Sequence, residues 1–100
     1  MDALQEKIAP KRAVECGFEV FREMFDESHL RHVLLEGLEL DDDEGAWKVS
    51  IGFDAGRTRV RGAGAALVKP ATDTETEPIR EIRTIWLRAD DGTFMRLESV

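Results

Sequence analysis

The strongest constraint on this fold is a strict alternation of apolar and polar residues that follows an acidic turn. Every second residue of the segment 47–54, WKVSIGFD, is large and apolar: Trp47, Val49, Ile51 and Phe53. Successive side chains of a β-strand point to opposite faces, so this pattern predicts a strand with one buried face. A second alternating run, 30–40, precedes it, and the acids Asp41 to Glu44 and then Gly45 join the two. We therefore predict an antiparallel hairpin with a loop of about five residues.

A second hairpin is predicted near the C-terminus. The apolar-rich segment 79–89 is followed by Asp90, Asp91 and Gly92, and then by TFMRLESV at 93–100. The Asp-Gly pair is a strong hairpin signal because glycine adopts positive φ without steric cost. Residues 55–78 join the two hairpins, and a bare loop of this length is unusual in a compact domain. We expect part of TRVRG or AALVK to form a short strand within this connection and residues 70–78 to be mobile.

A helix is predicted before the first strand. Projecting residues 11–26 at about 100° per residue places their apolar side chains in one arc that includes Phe18, Phe21 and Phe25. Pro10 suits the first helical turn because its fixed φ is helical and its missing N–H would be unpaired there. Gly17 lies on the same arc, where it lowers helix propensity but would let the helix approach a sheet closely.

The order of these elements predicts an α+β fold. We expect one long N-terminal amphipathic helix packed on a three- to four-stranded antiparallel sheet, built from two hairpins with a long connection. Residues 1–100 are expected to form a single domain, with 1–9 as a frayed arm or short helical turn and 55–78 as the long, partly mobile connection.

Both faces of the predicted third strand carry large apolar residues. Trp86 points to one face, while Ile85 and Leu87 point to the other. Val33 and Leu35 of the first strand add apolar surface to whichever face the helix leaves open. A face this apolar is normally covered, and the candidates are the long connection, a second copy of the chain or a foreign partner.

Charge and hydropathy narrow the classes of partner. The chain carries a net charge of -7, and a nucleic-acid binder needs a basic surface to displace counterions from phosphates, so we predict no nucleic-acid partner. The sequence contains no apolar run of the length of a membrane span and no signal-peptide pattern at its N-terminus. We therefore predict no membrane association and a cytoplasmic location.

Three groups of residues are candidates for metal or thiol chemistry. The acids Asp41 to Glu44 fit no EF-hand register, which favours a solvated turn. His29 and His32 fall at the predicted junction of helix and strand, where a strand would place their rings on opposite faces, so capping or surface roles are favoured. Cys16, the only cysteine, lies too far into the helix for activation by the helix N-terminus, which favours a structural role. We predict no metal and no cofactor.

Three alternating arginines are the remaining polar candidates. Arg57, Arg59 and Arg61 share one side of any extended segment, where they could grip a carboxylate or a phosphate. The alternative is that they are solvated charges of an edge strand. The neighbouring RGAGA at 61–65 lacks the register of a phosphate-binding loop. We find no motif for a nucleophile, a metal-dependent hydrolase or a general acid and base, so we predict no catalytic residues and no enzyme.

Two segments carry a resemblance to known families. The strand WKVSIGF and the later run IREIRTIWLRADDGTFMRL, preceded by a helix and an acid-terminated strand, resemble small PepSY-like domains. They are similar to gas vesicle protein O as well. The likeness covers most of residues 11–100 and rests on strand and turn patterns. It implies a helix-plus-sheet fold with a binding or scaffolding role, and it supplies no catalytic residues to carry over.

The leading hypothesis is a cytosolic, non-enzymatic protein-interaction module, such as a small regulator or an immunity-like partner, that is capable of forming a homodimer through the open sheet face. The residues predicted to contact a partner or ligand are Arg57, Arg59, Arg61, Val33, Leu35 and Trp86. The alternative is a small-molecule or anion-binding domain, or a minor enzyme, with a pocket between the helix, the sheet and residues 55–78. That alternative requires the arginines, Cys16 and the two histidines to converge.

Overall fold

The computed structural model describes residues 6–61 and 75–99, apart from the side chains of 59–61 and 75. In that part of the chain the elements are the helix α1 (Pro10–Met24), a 3-10 turn (Glu27–His29) and the strands β1 (Arg31–Asp41), β2 (Ala46–Arg61), β3 (Glu75–Arg88) and β4 (Phe94–Ser99). The strands form one sheet in the order β1-β2-β3-β4, and all neighbours are antiparallel. The predicted α+β class, with one helix on an antiparallel sheet, is confirmed.

The helix is shorter than predicted. It begins at Pro10, as expected, but ends at Met24 after 15 residues, so the prediction of a long helix was wrong. Phe25 has an extended backbone, and its N–H donates to the carbonyl oxygen of Phe21 at 2.9 Å. Its ring still stacks on the ring of Phe21, with centroids 4.7 Å apart. The apolar periodicity therefore continues past the point where the backbone leaves the helix.

The two described parts of the long connection, residues 55–61 and 75–78, are strand. β2 continues to Arg61 and β3 begins at Glu75, and the two strands pair from Thr58 with Pro78 to Arg61 with Glu75. A register shift between Asp54 and Thr58, where Gly56 has a φ of +90°, lets β2 continue past the irregularity. Residues 75–78 are therefore strand, and the expectation that they are mobile stays a prediction. The expectation that part of TRVRG or AALVK is strand is confirmed for residues 58–61 of TRVRG. AALVK and the predicted mobile residues 70–74 lie outside the described residues.

The hydrophobic core lies between α1 and one face of the sheet. Its buried members are Ala13, Cys16, Phe21, Trp47, Val49, Ile51, Phe53, Ile85, Leu87 and Ala89. α1 crosses the sheet at Gly17, where an added Cβ would lie 2.7 Å from Cγ1 of Val49. This contact confirms that Gly17 lets the helix approach the sheet closely.

Each end of the core is closed by a specific contact. At one end, the backbone N–H of Ile8 donates to the carbonyl of Ala89 at 2.7 Å, and Nε1 of Trp47 donates to the carbonyl of Ile8 at 3.2 Å. At the other end, the rings of Phe21 and Phe53 lie 5.5 Å apart. The segment before α1 is thus tied to the sheet at Ile8, and residues 1–5 lie outside the described part of the chain.

The two acidic segments are turns, as predicted. Gly45 and Gly92 have φ values of +60° and +79°, which a glycine adopts without strain. In the first turn, Oδ1 of Asp41 accepts a hydrogen bond from the backbone N–H of Glu44 at 3.1 Å. In the second turn, Oδ1 of Asp91 accepts from the backbone N–H of Thr93 at 2.8 Å.

Candidate functional site

The sheet face opposite α1 is covered by charged side chains of the sheet itself. Trp86 lies on this face but is only 6% exposed. The guanidinium of Arg96 lies 3.9 Å from the centroid of its ring, and the amine of Lys48 lies 4.9 Å away. Its Nε1 donates to a carboxylate oxygen of Glu98 at 2.6 Å. Cations over an indole face are attracted by its quadrupole, so these side chains hide the ring that the sequence left open.

Arg96 and Lys48, the two cations over Trp86, are each paired with a carboxylate, one in the first turn and one on β1. Arg96 donates to Glu44 at 2.7 Å, and Lys48 lies 3.5 Å from a carboxylate oxygen of Glu39. The hydrogen bond to Glu44 is the main cause that raises the pKa of Arg96. An arginine is charged over the whole working range of pH even without such a shift. A partner that approached this face would meet charged groups before it met the indole.

A hydrogen bond between two hydroxyls crosses the same face. The hydroxyls of Ser50 on β2 and Thr84 on β3 lie 2.9 Å apart, and Thr84 is buried. A buried hydroxyl that loses its partner keeps its desolvation cost without a compensating bond.

We expect Ser50→Ala to lower the free energy of unfolding by about 1–3 kcal/mol, because it leaves the hydroxyl of Thr84 unpaired. The double variant Ser50→Ala/Thr84→Val removes both hydroxyls and is expected to recover most of that loss. Urea unfolding followed by tryptophan fluorescence measures both. A double variant that is less stable than Ser50→Ala would show that the pair is not a coupled hydrogen bond.

Farther along this face, one ion pair passes over a glycine. The carboxylate of Glu36 on β1 accepts from Nη2 of Arg80 on β3 at 2.8 Å, so it spans the intervening strand β2. It lies directly over Gly52, where the side chain of Glu36 occupies the position that a Cβ would take. A glycine inside a strand often marks such a close approach, which was the one signal in the sequence that could have located this pair.

The two apolar contact residues predicted on β1, Val33 and Leu35, differ in burial. Val33 is half-buried and packs against the core cluster beneath α1. Leu35 is exposed and lies in register with the core residue Ile51, so it faces the helix side. The adjacent Leu34, which the sequence did not single out, is 57% exposed. Val33 and Leu35 therefore do not form an apolar surface together with Trp86, which lies on the opposite face.

Of the predicted arginine group, Arg57 is shown to pair with one of the protein's own carboxylates. Nε of Arg57 donates to Glu81 at 3.0 Å, and Nη2 of Arg83 donates to the other oxygen of Glu81 at 3.1 Å. Along β2, Arg59 and Arg61 lie in register with Glu77 and Glu75, respectively. The side chains of Arg59 and Arg61 lie outside the described part of the structure.

Cys16 lies near the turn between β3 and β4, whereas the histidines lie at the start of β1, far from that turn along the sheet. Sγ of Cys16 lies 2.8 Å from the position of a Cβ on Gly92, at the turn between β3 and β4. His29 lies beside Asp54, about midway along β2 where the pairing with β1 ends, and 3.4 Å from the carboxylate of Asp26. The seven residue-to-residue steps of strand from Trp47 to Asp54 separate these two positions by about 23 Å. The convergence required by the pocket hypothesis is therefore absent for Cys16 and His29.

A cavity beside His29 is open and polar. Its volume is about 570 Å³, and its lining consists of Ser28, His29, Arg31, Asp54, Gly56, Thr58 and Pro78. Asp54 already accepts a hydrogen bond from the backbone N–H of Gly56 at 2.9 Å. Among the described residues, no group of three or more His, Cys, Asp or Glu side chains is placed to hold a metal ion.

The strand β4 exposes an apolar edge that the sequence did not single out. Phe94, Met95 and Leu97 are 36–39% exposed, although each is a large apolar side chain. Leu97 lies in register with Ile85 and Phe94 with Leu87, so both lie on the helix side of the sheet. α1 packs over β2 and β3, with a smaller contact to β1, and these side chains lie outside the core cluster.

The opposite edge of the sheet is β1, and it has features that discourage the pairing of another strand. We call an edge with such features guarded. β1 contains two register shifts, one on each side of the Leu34 and Leu35 pair, and His32 has a φ of +53°. It also carries three acids: Glu36, Glu39 and Asp41. Bulges and charges on an edge strand discourage the pairing of another chain. β4 shifts only at Met95, pairs regularly with β3 from Arg96 to Ser99, and carries one base and one acid.

None of the comparisons with protein-family models, curated proteins and solved structures gave a match. The resemblance to PepSY-like domains and to gas vesicle protein O therefore stays a prediction. In the described residues, no helix is both long and apolar enough to cross a membrane.

Proposed function

We propose that this chain is a non-enzymatic protein-interaction module that binds a partner strand at the edge of β4. An edge strand presents a row of unpaired backbone N–H and C=O groups, which a second strand can satisfy. In this mode of recognition the main chain supplies affinity, and alternate side chains supply specificity. The proposal includes a regulatory or immunity-like role in the cytoplasm.

The observation that carries the proposal is the contrast between the two edges of the sheet. Both edges expose large apolar residues, but β1 is interrupted by two register shifts and carries an excess of acids. In β4, Arg96 and Glu98 cancel each other, so a chain with a net charge of -7 has a locally neutral edge here. The unguarded edge is the one suited to receive a strand.

The alternative of a small-molecule or anion-binding domain has less support. Arg57 pairs with Glu81, and Cys16 and His29 lie far apart along the sheet. The cavity beside His29 is open, and the aspartate in its lining is engaged with the backbone. The strand edge of β4 therefore remains the better supported site.

The test compares two lysine substitutions on the two edges. Leu97→Lys places a charge on the unguarded edge, where it should block strand addition, and Leu34→Lys makes the same change at an exposed leucine of β1. Proteins retained by the tagged wild-type chain and by each variant are identified from cells that produce it. Each retained protein, including a second copy of the chain, is then purified and titrated by calorimetry.

We expect a stoichiometric partner that binds the wild type and Leu34→Lys with equal affinity and binds Leu97→Lys at least about tenfold more weakly, because the lysine must be desolvated at the strand edge. Circular dichroism establishes that both variants are folded. The proposal is overturned if every purified partner, including the second copy, binds Leu97→Lys as tightly as it binds the wild type.

A further inference from the structure

We infer that the strand received by β4 is β4 of a second copy, paired antiparallel about a two-fold axis that passes midway between the two copies of Leu97 (an axis at Leu97). This inference rests on the proposed function and names its partner. It follows from the symmetry of antiparallel pairing and from the order of charges along Phe94–Ser99.

Symmetry limits the registers that two copies of β4 can adopt. A two-fold axis perpendicular to the sheet makes the neighbouring strand antiparallel and keeps each side chain on its own face. Directly opposed residues of an antiparallel pair must also lie on the same face. Both conditions hold only when one residue lies directly opposite its own copy, with the axis midway between the two. In the regular part of β4, the candidates within the strand are Arg96, Leu97 and Glu98.

The charges of Arg96 and Glu98 favour one of these three registers. An axis at Arg96 would place two guanidiniums opposite each other, and an axis at Glu98 would oppose two carboxylates. Like charges directly opposite across a ladder are destabilising. An axis at Leu97 opposes two leucines and places Arg96 opposite Glu98 of the second copy, twice. This is the one register of the three in which every opposed pair of these side chains is favourable.

The surroundings of β4 suit this arrangement. Arg96 and Glu98 lie in register with Trp86 and Thr84 on the face opposite α1, while Leu97 lies on the helix side with Ile85. The ion pairs would therefore form on one face and the leucine contact on the other. Two four-stranded sheets would join into one sheet of eight strands with both helices on the same side. In the four-stranded part of each copy, the outer edges of the joined sheet would be the two guarded β1 strands.

A cysteine at the axis tests the register directly. Leu97→Cys places two thiols opposite each other at a Cα separation of about 4.5–5.5 Å, within the range that a disulfide spans. Ser99→Cys is the matched control, because its two copies would lie four residues apart along the strands, about 13 Å. The native Cys16 is buried in the core. On mild oxidation we expect a covalent dimer from Leu97→Cys and at least about tenfold less from Ser99→Cys.

A charge exchange provides an independent test. Arg96→Glu and Glu98→Arg each replace both ion pairs by like-charge pairs, so each variant alone should dimerise at least about tenfold more weakly than the wild type. An equimolar mixture of the two variants restores two opposite-charge pairs and should form the mixed dimer. Sedimentation equilibrium measures the four dissociation constants: those of the wild type, of each variant alone and of the mixed dimer. Because both residues also contact Trp86, circular dichroism and melting establish that each variant is folded.

The outcomes separate this inference from the proposed function. A wild-type dimer, axis-specific cross-linking and recovery in the mixture support the inference. Equal cross-linking of Leu97→Cys and Ser99→Cys, or no recovery in the mixture of folded variants, overturns it. A monomeric wild type at millimolar concentration overturns it as well. If a different purified protein then binds the wild type but not Leu97→Lys, the proposed function stands without the second copy as its partner.

Discussion

Replacing Phe21 by alanine is expected to lower the free energy of unfolding by about 3–5 kcal/mol, a large part of the 5–15 kcal/mol typical of a domain. The side chain of Phe21 is fully buried between α1 and the sheet. Its ring centroid lies 4.7 Å from that of Phe25 and 5.5 Å from that of Phe53. Its removal costs the transfer of a buried ring, leaves a cavity and takes away the shared partner of the other two rings.

Urea unfolding monitored by the fluorescence of the buried Trp47 and Trp86 measures this loss. Met24→Ala is the matched control in the same helix, because Met24 is 44% exposed and its truncation should cost less than about 1 kcal/mol. Similar losses for the two variants would contradict the assignment of Phe21 to the centre of the core.

Replacing Gly17 by leucine is expected to lower the free energy of unfolding by about 3 kcal/mol. An added Cβ would lie 2.7 Å from Cγ1 and 2.9 Å from Cβ of Val49, which is closer than carbon atoms pack. Val49 lies on the central strand β2 and is fully buried, so it has no free space into which to move. The helix must lift from the sheet to accommodate the leucine, which loosens every contact along α1.

Gly17→Ala is the sharper form of this test because two effects oppose each other. Helix propensity alone predicts a gain of about 1 kcal/mol, whereas overpacking against Val49 predicts a loss of about 1–3 kcal/mol. We expect a net loss. Gly37→Ala is the matched control, because a Cβ there would make only an ordinary contact, 3.8 Å from Cβ of Ser50. A Gly17→Ala variant more stable than the wild type would show that the helix does not depend on this close approach.

The elements that are specified locally could be predicted from the sequence. The helix start at Pro10, the close approach at Gly17 and the turns at Gly45 and Gly92 each depend on one residue and its neighbours. The end of the helix could not be predicted in the same way. Phe25 continues the apolar spacing although its backbone is extended, and periodicity reports which residues are buried but not how the backbone brings them there.

The candidate site depends on relationships that a linear pattern does not contain. Trp86 was expected to be open because its own strand is apolar on both faces, but it is covered by Arg96 from β4 and Lys48 from β2. The exposed edge of β4 was missed for a related reason. The irregularity at Met95 breaks the alternation of the strand, and only the position of α1 shows which side chains stay uncovered.

The outer part of the hairpin formed by β2 and β3 can change in length without affecting the rest of the domain. Within the described residues, β1 pairs with β2 only as far as Asp54, β4 pairs with β3 only as far as Arg83, and the ribbon from Thr58 to Arg61 with Glu75 to Pro78 has no third strand. Adding two residues to each of its strands would extend it by about 7 Å and keep every side chain on its face. Evolution can thus change how far this domain extends without repacking the core.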